Sequence, residues 1–214
     1  MPLVYQQNIN DETKIGVWHI TETEDFFLAQ VPLQREISHP HKRLQHLAGR
    51  YLLKELYPDF PYELIKIADT RKPFLESEVY HFSISHCGDY AAVIVSKKFR
   101  TGIDIELVKK KIEKIKHKFL NADEEMLLQK IADSDTPVSN AQLLIAAWSF
   151  KEAVYKWYGN GELDFKRHIH IENISFNKKE GKAYCRFLKN VNVELLVHFI
   201  FFEDNCISWV LTEN

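Results

Sequence analysis

Gly102-Ile103-Asp104-Ile105-Glu106 is the stretch on which this chain turns. Isoleucines at 103 and 105 alternate with carboxylates at 104 and 106. A strand repeats every two residues, so both apolar side chains point one way and both acids the other. Carboxylates at i and i+2 then sit roughly 6–7 Å apart on one face. If both stay ionised, their repulsion at an effective dielectric of 20 is about 2.5 kcal/mol. An isolated pair would raise one pKa, whereas a divalent cation between them removes the problem. Oxygen-only ligands on a short rigid element suit Mg²⁺ or Mn²⁺ better than zinc. A surface strand with two solvated acids is the commoner meaning of D-x-E, so the weight falls on what flanks it.

Upstream, residues 14–20 read as a first strand, and Thr21-Glu22-Thr23-Glu24 as a helix start carrying Phe26, Phe27 and Leu28 toward a core. A stronger helix is predicted over about 39–57, where Leu44, Leu47, Ala48, Tyr51, Leu52 and Leu56 keep helical spacing and Pro40 sits in the first turn. Its other face carries His41, Lys42, Arg43 and Arg50, either solvated charge or a phosphate grip. In the loop Arg71-Lys72-Pro73-Phe74, Pro73 drives Lys72 into an extended conformation. Val79 to Ser85 and Tyr90 to Ser96 read as a hairpin turning at His86-Cys87-Gly88-Asp89, with Ser83 and Ser85 on one polar face. Ser85-His86 then lies at a strand end that a ligand can reach, and the Gly102–Leu107 strand is expected to complete this small sheet.

Downstream, Lys109, Lys110, Lys111, Lys114, Lys116 and Lys118 surround Ile112, Ile115 and Phe119, the pattern of a basic amphipathic helix. Such a face is either solvated or a docking site for an acidic partner. Asn121 with Glu124 makes a capping box for the next helix. The helix from about Ala141 to Tyr158, stopped at Gly159-Asn160-Gly161, places Glu152 and Lys156 four residues apart on one face with Trp148 a turn earlier. Four strands follow, at 168–176, 182–188, 192–202 and 206–212, with hairpin turns that predict an antiparallel sheet. The whole chain thus reads as α+β, in two similar-sized lobes, 1–108 and 109–214.

At 214 residues the chain is long enough to bury roughly 70% of its unfolded surface. A net charge of −2 gives no reason to expect a nucleic-acid partner. Three cysteines without C-x-x-C point to neither a disulfide framework nor a zinc ribbon. No basic-then-apolar start and no apolar run near 18 residues occurs, so a cytoplasmic protein without a membrane span is expected.

Taken together, Lys72-Pro73, Phe82-Ser83-Ile84-Ser85-His86, Gly102-Ile103-Asp104-Ile105-Glu106 and Trp148-Ser149-Phe150-Lys151-Glu152-Ala153-x-x-Lys156 resemble the motif set of the 4′-phosphopantetheinyl transferase superfamily, in its long pseudo-dimeric form. Arg71 stands where the family often has Gly, and Cys87 where Ser or Thr is common. The resemblance implies two lobes with the active site in the cleft between them, and a monomer. It implies transfer of the phosphopantetheine arm of coenzyme A, the co-substrate, to a serine of an apo acyl or peptidyl carrier protein, with release of 3′,5′-ADP. Asp104, Glu106 and Glu152 would hold Mg²⁺ or Mn²⁺, Glu152 would act as general base, and Lys156 would stabilise the leaving phosphate. Lys72, Ser85 and His86 would contact the coenzyme, with Arg43 on its 3′-phosphate and the carrier docking near Lys109–Lys118. Two other readings fit the same residues: a metal-dependent phosphodiesterase needing no carrier, and a coenzyme A binder without turnover. A serine hydrolase does not fit, because no G-x-S-x-G elbow surrounds Ser85 and strand neighbours Ser85 and His86 face opposite ways.

Overall fold

A computed structural model of the chain describes residues 2–33, 36–134, 136–177 and 179–213. It is α+β, with antiparallel sheets. Strands β1 (Leu3–Asn10), β2 (Thr13–His19), β5 (His81–Cys87) and β6 (Tyr90–Ser96) form one sheet in the order β1-β2-β6-β5. The second sheet contains β7 (Arg100–Leu107), β8 (Ile169–Asn177), β9 (Glu180–Phe187), β10 (Val193–Phe202) and β11 (Asn205–Thr212), ordered β7-β11-β10-β9-β8. A minimal ribbon, β3 (Lys66–Ile67) with β4 (Pro73–Phe74), holds the Lys72 loop.

The hydrophobic pattern explains the stacking. On β2 and β6, Ile15, Val17, Ala92 and Ile94 face the second sheet, where they meet Ile103, Ile105, Ile207 and Trp209. The alternate residues Trp18, Ala91, Val93 and Val95 face α2 (Pro40–Leu56), packing on Leu47, Ala48 and Leu52. The far side of the second sheet is covered by α4 (Asn140–Tyr158), whose Ala147, Phe150, Ala153 and Val154 are buried with Cys206 and Val210. The result is four layers: helix, sheet, sheet, helix. His39 caps α2, and Ser139 with Gln142 forms a capping box for α4, which ends at Gly159 in the left-handed conformation (φ 73°). α3 (Ala122–Ala132) carries the predicted Asn121–Glu124 box.

Four expectations change and one strand is added. β7 does not complete the N-terminal hairpin's sheet: it pairs along its whole length with β11, Ser208 opposite Asp104 and Cys206 opposite Glu106. The hairpin strand runs on through Cys87, so Ser85 lies inside β5 rather than at its end, and the turn is Gly88-Asp89 alone. The basic stretch 109–118 is no amphipathic helix but two short 3-10 turns, Lys110–Lys114 and Lys116–Lys118, from which Ile112 and Phe119 are buried and Ile115 packs half-buried against the same core. α1 spans only Glu24–Leu28 and buries Phe27 alone. Strand β1 escaped notice, since an edge strand carrying Gln6-Gln7-Asn8 in solvent shows no apolar alternation.

The first sheet's outer strand lies beside the second sheet's outer strand, and side chains close the gap. Ser83 Oγ accepts from Ile103 N (3.2 Å), Ser85 Oγ from Ile105 N (3.3 Å) and Cys87 Sγ from Leu107 N (3.4 Å). The edge amides of β7 are therefore satisfied without a ladder. On its other side α4 rests directly on the β7 backbone at Gly102. A β-carbon there would overlap the Ala153 carbonyl and come within 2.6 Å of Trp157 N. Neither backbone can yield, so Gly102→Ala should cost about 3 kcal/mol or more, read as a lowered urea midpoint. A midpoint within error of wild type would mean that α4 has more freedom than this contact allows.

Candidate active site

Gly102, Asp104 and Glu106 share the face of β7 turned to α4, so the close approach at Gly102 brings Trp148, Glu152 and Lys156 over both acids. Asp104 is buried, 2% exposed. Its Oδ1 accepts from Lys156 Nζ (2.6 Å) and from Ser85 Oγ (2.9 Å), while its Oδ2 is buried without a partner among the described residues. Glu106 accepts from Trp148 Nε1 (2.9 Å) and Cys87 Sγ (3.5 Å). Glu152 completes the group. Burial, then the charge of Asp104, push its carboxyl up to about 7, against the opposing pull of Lys156. Glu106 is raised for the same two leading reasons.

Among the described residues three carboxylates share one ammonium here, and one buried oxygen has no hydrogen-bond partner. That is a donor set short of positive charge, and hard oxygen ligands of this kind fit a divalent cation. As the side chains stand, no three Asp, Glu, His or Cys residues among those described gather closely enough to enclose an ion. Trp148 and Cys87 occupy the two oxygens of Glu106.

The other candidate residues distribute unevenly. Ser85, 5% exposed, accepts from Lys156 Nζ (2.7 Å) and Ile105 N while donating to Asp104, which fills its hydroxyl within the protein. His86 stands exposed on the opposite side of the strand, its pKa lowered by partial desolvation and by Lys156. Lys72 is held beside the C-terminus of α4, with Nζ 3.4 Å from Trp157 O. Arg71 before it adopts φ 67°, the left-handed conformation that favours glycine. Lys72, Ser83, Tyr155 and Lys156 line a cavity of about 190 Å³ alongside the acids. Arg43 lies apart, its guanidinium taken by Glu24 (2.7 Å) and Ile37 O (2.8 Å). Arg50, placed by periodicity on an exposed helix face, is in fact buried at 4% exposure.

One residue of the motif had no role assigned and has a large one. Lys151 is wholly buried, its Nζ 2.8–3.0 Å from Glu124 and from the carbonyls of Phe119, Phe165 and Ile169, so that three N–H donors are shared among four acceptors. Glu124 also accepts from Asn121 N and Ile171 N, both 2.8 Å. The hub fixes the back of α4 while Glu152, next in sequence, faces the groove. Its signal was a lysine in line with Leu144, Ala147 and Val154 on the apolar side.

The raised Glu152 pKa makes stability depend on pH. The folded state holds this proton more tightly than the unfolded chain, so the contribution is complete below the ordinary value of 4.5 and is lost as pH rises to about 7. Urea unfolding of wild type against Glu152→Gln should diverge over that window by on the order of 2–3 kcal/mol. The variant should be the more stable above pH 7. A constant difference would show that the carboxyl is not desolvated.

A comparison with curated proteins returns no match. A family model described as the 4′-phosphopantetheinyl transferase superfamily matches residues 100–207, just over half of the chain. Because that span holds both the strand and the helix that meet over the acids, the chain belongs to the 4′-phosphopantetheinyl transferase superfamily.

Proposed function

We propose that this chain moves the 4′-phosphopantetheine arm of coenzyme A onto a serine of an apo acyl or peptidyl carrier protein and releases 3′,5′-ADP. Members of the superfamily use coenzyme A and act on carrier proteins. The observation that carries the proposal is the geometry of the groove: Lys156 bonded to Asp104 at 2.6 Å, with Glu152 one turn earlier on α4 and Trp148 bonded to Glu106.

Glu152 takes the proton of the carrier serine, for which a carboxyl poised near neutrality is suited. The serine oxygen then forms its bond to the β-phosphorus of the coenzyme, and the bond from that phosphorus to the bridging oxygen breaks. Lys156, at the rim of the cavity beside Lys72, faces the charge that develops on the departing 3′,5′-ADP. Ser85 keeps Asp104 oriented, and Trp148 does so for Glu106. Asp104, Glu106 and Glu152 would hold Mg²⁺ or Mn²⁺, which when bound neutralises the pyrophosphate oxygens. His86 and Lys72 would meet the coenzyme. Arg43 would meet its 3′-phosphate only by releasing Glu24. In this reading the protein is one cytoplasmic monomer, and the groove lies between β7, the last strand of residues 1–108, and α4 of residues 109–214.

Intact-mass measurement of an apo carrier incubated with the protein, coenzyme A and Mg²⁺ tests this. A gain of one phosphopantetheine, abolished by EDTA and by Glu152→Gln, is expected. Coenzyme A breakdown with an unmodified carrier would establish a phosphodiesterase instead, and coenzyme binding without either reaction a non-catalytic binder.

The segment 109–118 keeps Lys109, Lys110, Lys111 and Lys114 exposed, which suits an acidic carrier surface. Replacing Lys110, Lys111 and Lys114 by Gln should raise the carrier KM several-fold and flatten its salt dependence, with kcat retained. An unchanged KM would return the segment to solvated surface.

A further inference from the structure

A second cavity, of about 460 Å³, opens on the other side of Lys72 from the groove, at the C-terminal end of α4. Lys72, His81, Arg100 and Thr101 line it, with Phe74 and Leu75 as an apolar wall. Arg100 Nε donates to Trp157 O (2.8 Å) and its Nη2 to Tyr158 O, and Lys72 Nζ reaches the same Trp157 carbonyl. Both cations therefore sit on the negative end of the helix. That end supplies only about half an elementary charge. Neither cation has a carboxylate within ion-pair distance among the described residues, and Glu78 at the mouth is exposed to solvent.

The positive excess is felt by the groups themselves. Burial and then the charge of Arg100 bring Lys72 down to about 8, and His81 is lowered chiefly by burial, against the opposing pull of Glu78, with Lys72 and Arg100 adding smaller shares. Thr101, 2% exposed, keeps a hydroxyl without a partner among the described residues. We propose that this cavity binds the phosphomonoester group of a small organic molecule. A phosphomonoester carries a charge of about −1.5 to −2, which balances two cations less the helix end, where a single carboxylate leaves an excess. Arginine and lysine flanking a hydroxyl are suitable donors for several phosphate oxygens. The volume exceeds what a phosphate alone fills and lies in the range of small-molecule sites. Phe74 and Leu75 would cover the rest of the molecule.

Two sources share this chemistry: the 3′-phosphate of coenzyme A lying in the neighbouring groove, and a separate phosphorylated metabolite. Calorimetric titration of the full chain with inorganic phosphate, at constant ionic strength, reads the cavity without reference to transfer activity. Saturable binding is expected, weakened about tenfold or more by Arg100→Gln. Thr101→Val, which removes an unpartnered hydroxyl without touching the helix end, should weaken phosphate binding while leaving the melting temperature equal or higher. It stands as the test should Arg100→Gln fold poorly. If the occupant is the coenzyme, saturating coenzyme A abolishes phosphate binding, and the preference for coenzyme A over dephospho-coenzyme A collapses in the variants. If the occupant is separate, phosphate still binds the coenzyme-saturated protein. No saturable phosphate binding, or binding that both substitutions leave unchanged, overturns the proposal. Because phosphate is the probe, failure here is distinct from failure to modify a carrier.

Discussion

Everything in the groove depends on how closely a helix can lie on a strand. At Gly102 there is no side chain, and the backbone of α4 occupies the space that one would need. The consequence is geometric: at this separation residues of α4 that face β7 are opposed to Asp104 and Glu106 rather than spaced from them by a packing layer. The alternation of Ile103 and Ile105 with the two acids then serves two purposes at once. The isoleucines seal the interface between the sheets, and the acids are turned toward the helix.

Placing three carboxylates together is unfavourable, and the structure shows how the cost is distributed. Lys156 offsets Asp104 directly, Trp148 and Cys87 satisfy Glu106, and Glu152 stays protonated to nearly neutral pH. A strained arrangement of this kind needs a rigid mount. Lys151 and Glu124 supply it from behind, an ion pair fully out of water whose remaining donors and acceptors are all matched by backbone. Breaking such a pair is far more damaging than its net contribution suggests, since one charge would be left without compensation.

Much of this was legible in the sequence, and the exceptions share a physical cause. The period-two pattern of 102–107, the capping box at Asn121, and the spacing of Trp148, Glu152 and Lys156 are local signals, and local geometry honours them. What could not be read was pairing at a distance. Nothing in 100–107 says that β11 rather than β6 is its neighbour, because that choice is made by shared burial of Ile207 and Trp209. Arg50 has the spacing of a surface cation, and the carboxylate and carbonyls that hold Lys151 lie far off in the chain. The Lys-rich stretch has helical spacing, and its apolar residues reach the core from two 3-10 turns instead. Arg100, adjacent to the most informative strand, carried no pattern of its own.

The seam between the two sheets has a mechanical character that neither sheet shares. A strand ladder has a register, and sliding it by one residue would exchange its buried and exposed faces. Contacts from Ser83, Ser85 and Cys87 to the amides of Ile103, Ile105 and Leu107 impose no such penalty on small displacements, because hydroxyl and thiol groups can swivel to follow a moving N–H. The two sheets are thus joined along a compliant line, in which shear of a few tenths of an ångström is absorbed by rotamers instead of broken backbone bonds. Since Ser85 also touches Asp104 and Lys156, any such shear is transmitted straight to the acids.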